Sequence, residues 1–295
     1  MAEHTAQAEH TPHTAPATDA LDPRELFSHV EDSPDFHVPK ALTPNGTGHI
    51  EIPQPFKAVH FTVTKFMVIE LVAAILISVF FIALGKALRG GAIPRGRFRN
   101  MLEAMLLYFR DHVARPCIGE HDADRFVPFL WTMFFFVLVC NLFGMLPWMG
   151  SPTGTLAVTA ALAMATFVTV LGAAVAKLGF GGFVKSLVPH MDLPLHIKIP
   201  MLILMFPIEV VGLLIRHAVL AVRLLANMMA GHIGLAVIVA FIAVSAQSLW
   251  WWGVMPASVL GATALSLLEL FVAFLHAYIF TFLSALFIGM AVHPH

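Results

Sequence analysis

Apolar residues gather into long runs that begin after residue 60 and are separated by shorter polar stretches. The first three runs extend from about Phe61 to Leu84, from Phe126 to Trp148 and from Thr155 to Ala176. Each contains the roughly 20 residues that a helix needs to cross about 30 Å of hydrocarbon. We therefore predict three membrane helices in this part of the chain.

The next apolar run is too long for one upright helix. It extends from Pro200 to Trp251, and roughly fifty residues at about 1.5 Å each would form a helix of about 75 Å. Such a helix must be broken, steeply tilted, or both. Pro207, Gly231 and Gly234 are candidate bend points.

The last apolar run, Ala257 to Met290, also exceeds the length of an upright span. Before it, Trp250 to Trp252 followed by Pro256 predict an interfacial turn. The two final runs therefore predict a hairpin of two long, strongly tilted helices.

One shorter segment, Asn100 to Arg115, has an amphipathic pattern. Its apolar residues follow the spacing of one helical face, and they are Met101, Leu102, Met105, Leu106 and Phe109. This spacing predicts an interfacial helix or a surface for a partner. The whole pattern predicts an all-α integral membrane protein with about five membrane helices plus this interfacial helix.

Composition supports a membrane protein, because 58% of the residues are hydrophobic and 12% are charged, against roughly a quarter charged in soluble domains. The charge is unevenly placed. Residues 1–58 contain three basic and nine acidic side chains, whereas residues 86–125 contain eight basic and five acidic ones. The positive-inside rule then predicts a cytoplasmic loop after the first span, an outside N-terminus and a cytoplasmic C-terminus.

These features divide the chain into two parts. Residues 1–58 have no apolar run and are rich in proline, threonine, histidine and acids, so we predict a polar, partly disordered tail. Residues 59–295 form the membrane domain. Seven histidines lie between His4 and His60, but their spacing matches no metal-ligand pattern, and Cys117 and Cys140 match no redox or metal motif.

The final hairpin carries few charges. From Ile199 to Val292 the acidic and basic residues are Glu209, Arg216, Arg223 and Glu269. An ionisable residue inside a membrane indicates function by default. Arg216 or Arg223 alone is compatible with a side chain that reaches an interface from a helix end. Both together are not, since about 10 Å of helix separates them.

The spacing of these residues predicts which of them share a helix face. Glu209, Arg216 and Arg223 are seven apart, about two turns, and Asn227 lies one turn further along the same stripe. His232 follows Arg223 by nine residues and leaves the helix nearly opposite to it. On the last helix Glu269 and His276 are again seven apart. Carboxylate and imidazole groups are suited to passing protons near neutral pH.

Several motifs resemble one family, subunit a of the membrane sector of rotary ATP synthases. The most specific is AVRLLANMMAGH around Arg223 and Asn227, and others are FPIEVVGLLI with Glu209, ELFVAFLHAYIFTFL, and the segment NMLEAMLLYFRDHVAR to LFGMLP containing Asn141. The resemblance covers about Phe61 to Val292. Where many bacterial members have glutamate and then histidine, this chain has His232 and Glu269. His276 occupies a position that is usually glutamine, and His217 occupies one that is often proline.

The resemblance implies a proton-translocating stator that is not itself an enzyme. Two half-channels would meet a rotating ring of small proteolipid subunits, the c-ring, with Arg223 separating them. Implied partners are the c-ring, the b subunits of the peripheral stalk, the soluble ATPase head and membrane lipid. The implied location is the bacterial inner membrane. No cofactor, metal ion or nucleic acid is expected.

Two other classes fit parts of the sequence. A proton-coupled secondary transporter or ion channel would use Arg216 or Arg223 to bind an anion, but such proteins commonly contain internal repeats, and no convincing repeat is found. A metal-handling membrane protein would use the histidine-rich tail, on composition alone. Copurification with a ring of small proteolipids distinguishes the stator from a transporter that acts alone.

Overall fold

The computed structural model describes residues 35–37, 49–51, 63–89, 97–146, 149–186, 195–245 and 250–293. Two three-residue strands, β1 (Asp35–His37) and β2 (His49–Glu51), pair in antiparallel register within the N-terminal part. This small pair was not predicted. The rest of the predicted tail lies outside the described residues, so its expected disorder stays a prediction.

The membrane domain begins with α1 (Lys65–Arg89). An amphipathic segment follows, made of α2 (Arg97–Tyr108), a π-helical turn (Phe109–Ala114) and α3 (Arg115–Ile118). Of the predicted apolar face, Leu102, Leu106 and Phe109 are buried, whereas Met101 is 56% exposed. The π turn changes the helical period after Tyr108, and the sequence spacing did not indicate this.

The second and third spans are α4 (Ala123–Gly144) and α5 (Leu156–Ser186), with a 3-10 turn at Pro152–Gly154 between them. The second span was predicted to continue to Trp148, but α4 ends at Gly144, and Pro147 and Trp148 lie outside the described residues. α5 is longer than predicted because a kink joins two helical pieces. The kink is at Gly179, whose φ of 72° is readily adopted only by glycine.

The last two helices are α6 (Leu195–Ser245) and α7 (Trp251–Val292). α6 continues without interruption through the candidate bend points Pro207, Gly231 and Gly234, so of the two alternatives, break or tilt, its length must be accommodated by tilt with at most gentle curvature. Its 51 residues correspond to about 77 Å of helix, far more than the hydrocarbon thickness. Trp251, Trp252 and Pro256, which were predicted to form a turn, already belong to α7. The helix therefore begins earlier in the sequence than expected.

Among the described residues, five helices are long and apolar enough to cross a membrane, namely α1, α4, α5, α6 and α7. The prediction of an all-α integral membrane protein is thereby confirmed. α7 occupies a central place, since it packs against α4, α5, α6 and α3. Aromatic contacts support this core, with the Phe109 and Phe134 ring centroids 4.4 Å apart and Tyr278 of α7 5.9 Å from Phe109.

Charged side chains are concentrated at one end of the bundle. Asp122 accepts a hydrogen bond from Lys177 and lies 3.5 Å from the His293 ring. Arg110 donates two hydrogen bonds to Asp124 on α4, at 3.0 and 3.3 Å. These contacts join the start of α4 to α5, to the end of α7 and to the amphipathic segment.

Candidate functional site

The site is built on the antiparallel contact between α6 and α7, which places residues from the two helices opposite one another in order. His217 lies against Phe287, Arg223 lies within electrostatic range of His276, Gly231 contacts Glu269, and Gly234 contacts Leu265. As the position on α6 increases, the position on α7 decreases. His217, Arg223, Gly231 and Gly234 therefore each have an identified neighbour on α7.

Arg223 occupies the middle of this hairpin and is exposed. It makes no ion pair or hydrogen bond with any of the described residues. The side chains beside it on α6, Val219 and Val222, are apolar and also exposed. The guanidinium thus stands on an apolar surface with no carboxylate of this part of the chain to neutralise it.

Before Arg223 in the sequence, Glu209 and Arg216 lie together on α6. Arg216 Nη2 is 3.8 Å from Glu209 Oε1, and both side chains are nearly half exposed. This distance confirms that the two residues share a face. Both line a cavity of about 650 Å³, and its other walls include Gly119, Phe287 and residues near the end of α7.

On the other side of Arg223, His232 and Glu269 lie close together although they belong to different helices. His232 Nδ1 is 3.9 Å from Glu269 Oε1, and the two side chains are only 15% and 8% exposed. The prediction that they lie together is confirmed by this distance. No described residue gives a hydrogen-bond partner to His232 Nε2 or Glu269 Oε1, which leaves both atoms able to bind water.

Gly231 makes this arrangement possible, and sequence spacing did not identify it. A Cβ atom at residue 231 would lie 2.6 Å from Glu269 Oε1 and 3.0 Å from its Cδ. Such an approach is closer than real Cβ atoms tolerate. The absence of a side chain at Gly231 therefore lets the Glu269 carboxylate rest against α6.

His276 and Asn227 lie nearer to Arg223. His276 Nδ1 is 3.0 Å from the carbonyl oxygen of Val272, one turn earlier on α7, so one ring nitrogen is held by the backbone. Both His276 and Asn227 are partly exposed. They border the surface that carries Arg223, as the stripe on each helix predicts.

Asn141 is fully buried and joins α4 to α7. Its Nδ2 donates to the carbonyl oxygen of Ala273 at 3.2 Å, and its Oδ1 accepts from Thr153 Oγ1 at 2.7 Å. Thr153 is in turn 2.7 Å from Ser151 Oγ. Ala273 lies one turn from Glu269, so this network fixes the part of α7 that carries the carboxylate. Ser151 and Thr153 were missed, because only the tertiary fold brings that loop to Asn141.

Outside the spans, the Lys177 hydrogen bond lowers the pKa of Asp122, with smaller contributions from the charges of Lys177 and His293. Burial raises the pKa of the Cys117 thiol. Within the described ranges, no group of three or more His, Cys, Asp or Glu side chains is placed to hold a metal ion. The histidine-rich tail lies mostly outside those ranges.

Comparison with known proteins identifies the family. The model of the family described as ATP synthase A chain matches residues 66–289, well over half of the sequence. This chain belongs to the ATP synthase A chain family. The resemblance seen in the Arg223 segment is thereby confirmed.

Individual relatives within the ATP synthase A chain family agree. ATP synthase subunit a of Myxococcus xanthus is 41% identical over 276 residues, covering 90% of this chain and 88% of that protein. The protein of the same name from Chloroherpeton thalassium is 39% identical over 252 residues, covering 81% and 72%. A third, from Anaeromyxobacter dehalogenans strain 2CP-C, is 39% identical over 240 residues, covering 81% of this chain but 60% of the relative's length.

Membership in the ATP synthase A chain family and the five apolar helices together define a multi-pass membrane protein with bacterial relatives. The roles of individual residues do not follow from membership alone. The geometry places Arg223 on the exposed surface of α6, with a largely apolar cavity lined by Glu209 and Arg216 on one side and the buried His232 and Glu269 on the other.

Proposed function

We propose that this protein is the proton-translocating stator, subunit a, of a rotary ATP synthase, and that Arg223 separates two half-channels that reach a c-ring from opposite sides. The observation that carries the proposal is that Arg223 is exposed on an apolar helix surface and has no ion-pair partner among the described residues. A central charge facing lipid costs about 2.5–3.5 kcal/mol on insertion scales, and more in simulations. A ring carboxylate facing this surface would supply the missing counter-charge.

The positions of the other polar groups support two separate access paths. Glu209 and Arg216 lie at the cavity near the cytoplasmic end, 14 and 7 residues before Arg223 in the sequence. His232 and Glu269 form a buried pair on the far side. We assign Glu209 to the cytoplasmic half-channel, with Arg216 supporting it, and His232 with Glu269 to the outer one. Asn227 and His276 border the ring contact, and Asn141 supports Glu269 through Ala273.

The chemistry follows from charge. A ring carboxylate that arrives protonated meets the Arg223 guanidinium, and a cation within a few ångströms favours the ionised carboxylate. The proton leaves through one half-channel, and the carboxylate takes another proton from the other half-channel as the ring turns. The positive charge also opposes the direct passage of a proton between the two paths. Arginine suits this role better than lysine, whose pKa falls readily in a low-dielectric site.

The remaining assignments are part of the same proposal. The subunit does not itself catalyse ATP synthesis or hydrolysis. Its partners are the c-ring, the b subunits of the peripheral stalk and, through the complex, the soluble ATPase head. The amphipathic segment, with exposed Leu107 and Tyr108, offers a surface for the stalk. The N-terminus lies outside and the C-terminus, near the Asp122 cluster, lies in the cytoplasm.

Replacement of Arg223 by alanine tests this function. Arg223→Ala is expected to abolish proton-driven ATP synthesis in vesicles while the complex still copurifies with its proteolipid ring. Arg216→Ala is the matched control, since it removes the same group seven residues away, where Glu209 already pairs with it. We expect that control to retain most synthesis.

Two results would contradict the assignment. Normal coupled synthesis by a fully assembled Arg223→Ala complex would remove the arginine from the mechanism. Purification of an active transporter that has no proteolipid ring would replace the stator by another class of protein. Equal losses at Arg216 and Arg223, with assembly preserved, would instead show that the two arginines share the role.

A further inference from the structure

His217 is the one buried imidazole of α6 on the cytoplasmic side of Arg223 within the described residues. It is 3% exposed and lies between two helices that flank α6. Its ring centroid is 5.2 Å from that of Phe167 on α5 and 5.0 Å from that of Phe287 on α7. The function proposed above gives this residue no task.

The two ring nitrogens of His217 have different surroundings. Nδ1 is 2.9 Å from the carbonyl oxygen of Leu213, one turn earlier, so Nδ1 carries a proton and donates it to that oxygen. Nε2 is then an acceptor, and it is buried with no hydrogen-bond partner among the described residues. A buried polar atom that makes no hydrogen bond is destabilising. Nε2 therefore needs a hydrogen-bond partner other than the described residues.

The cavity that contains Glu209 and Arg216 lies immediately beside this imidazole. Leu213, which accepts from Nδ1, and Phe287, which contacts the ring, both line it. A cavity of about 650 Å³ has room for many water molecules, each of which occupies roughly 30 Å³ in the liquid. Because two neighbours of the His217 ring line this cavity, its water is a source of a donor for Nε2.

We propose that His217 Nε2 binds cavity water and acts as a further proton-transfer group of the cytoplasmic half-channel. Water reaches Nε2 by passing the ring of Phe287. A water proton moves to Nε2, leaving hydroxide that is neutralised by the next proton in the water chain. The imidazolium then returns its Nε2 proton to another water molecule. No other reactant is needed, and Nδ1 keeps its bond to Leu213 throughout.

The position of His217 fits this role. It is six residues, about 9 Å along the helix, from Arg223, closer than Glu209. The charged and titratable groups that line the adjoining cavity are Cys117, Glu209, Arg216 and His293. Because Glu209 pairs with Arg216, the guanidinium next to His217 is partly compensated. This inference rests on the proposed function, since a half-channel must exist for His217 to serve it.

The first experiment detects the water directly in the unaltered complex. The complex is labelled with nitrogen-15 histidine and studied by water-edited solid-state NMR, and the His217 signals are assigned by comparison with His217→Phe. Magnetisation should transfer from mobile water to His217 Nε2 and not to Nδ1. A dry Nε2 would overturn the proposal. It would leave the stator function intact, because that function is tested separately at Arg223.

The second experiment asks whether the imidazole carries protons. Passive proton flux is measured through vesicles containing the assembled membrane sector without the soluble head. His217→Ala should slow the flux by roughly tenfold, less than the 10²–10⁴ that a sole general acid–base supplies, and millimolar imidazole should restore it. His217→Phe, which fills the space, should be equally slow and should not be rescued.

Two outcomes of the flux measurement count against the proposal. Wild-type flux in both assembled variants would show that His217 carries no protons. A loss in His217→Ala that imidazole does not restore would assign the residue to packing between Phe167 and Phe287. If His217→Ala does not assemble, the NMR result on the unaltered complex decides the question.

Discussion

The two halves of the α6–α7 hairpin differ in how exposed their titratable groups are and in which helices carry them. Before Arg223, Glu209 and Arg216 pair within one helix, are nearly half exposed and face a cavity. After it, His232 and Glu269 come from different helices, are buried, and have atoms without a hydrogen-bond partner in the described chain. The first pair is open to water, and the second is enclosed by packing.

This difference shows that two pairs with similar composition can serve different steps. An exposed ion pair contributes little stability, about 0–1 kcal/mol, and either partner can rearrange freely. A buried carboxylate beside an imidazole is held in place and is costly to leave unpaired. We infer that the open half exchanges protons with bulk water, whereas the closed half controls a specific transfer.

The largest expected effect concerns the enclosed pair. Glu269→Gln and His232→Ala should each slow proton flux by about 10²-fold or more, as expected for lost general acid–base groups. If the two act as a unit, the double variant should lose less than the sum of the two single losses in free-energy terms. Proton flux through reconstituted vesicles measures this.

An exchange variant sharpens the same comparison. His232→Glu combined with Glu269→His restores one acid and one imidazole in the same pocket, so it should recover part of the flux. Glu209→Gln provides the matched substitution in the open half and should lose less than Glu269→Gln. Strictly additive losses without recovery in the exchange would leave two independent groups.

A smaller effect is expected from moving the carboxylate without removing it. In Gly231→Ala the new Cβ would occupy the space of Glu269 Oε1, and the flexible carboxylate should swing away from His232. Flux should fall while assembly stays normal. Gly234→Ala is the control, because its Cβ would meet Leu265 at an ordinary contact distance of 3.4 Å. Equal flux in the two variants would contradict the proposed geometry.

The network behind the enclosed pair should affect stability more than flux. Thr153→Val removes the donor to the buried Asn141 Oδ1, and an unsatisfied buried acceptor costs about 1–3 kcal/mol. Thermal denaturation of the purified complex in detergent measures this loss. Thr132→Val removes an exposed hydroxyl bonded to Pro128 on the same helix and should change stability by less than about 0.5 kcal/mol.

The smallest effect is expected at the charged end of the bundle, around Asp122. The folded-state pKa of Asp122 is lowered by Lys177, so its contribution to stability is present above the unfolded pKa and is lost as pH falls through the folded pKa. Asp122→Asn should therefore lower the melting temperature slightly at neutral pH and not in strong acid. Glu120→Gln, an exposed neighbour, should behave like the wild type at both. A difference that persists in acid would contradict an ionic origin.

The sequence predicted the helical membrane fold and the polar stripes, since both depend on regular periodicity along single elements. Glu209 and Arg216 were placed on one face by their spacing alone. Helix ends were less predictable, as α4 shows by ending at Gly144, because the loops that follow are fixed by tertiary contacts.

Other features required the three-dimensional structure. The burial of His217 depends on Phe167 and Phe287, which are about 50 and 70 residues away in the chain. The contact of Gly231 with Glu269 depends on the register between α6 and α7, which no local pattern encodes. The π-helical turn at Phe109–Ala114 changes the helical period, and the regular spacing of apolar residues did not indicate it.

Labelling of single cysteines from each side of the membrane most directly tests the central claim, that Arg223 separates two half-channels that open on opposite sides. In a chain with Cys117 and Cys140 replaced by serine, single cysteines are introduced as Leu213→Cys, beside the Glu209 cavity, and His232→Cys. A small membrane-impermeant thiol reagent is then added to vesicles of either orientation. We predict modification of residue 213 only from the cytoplasmic face and of residue 232 only from the opposite face. Modification of both from the same face would contradict two half-channels separated by Arg223.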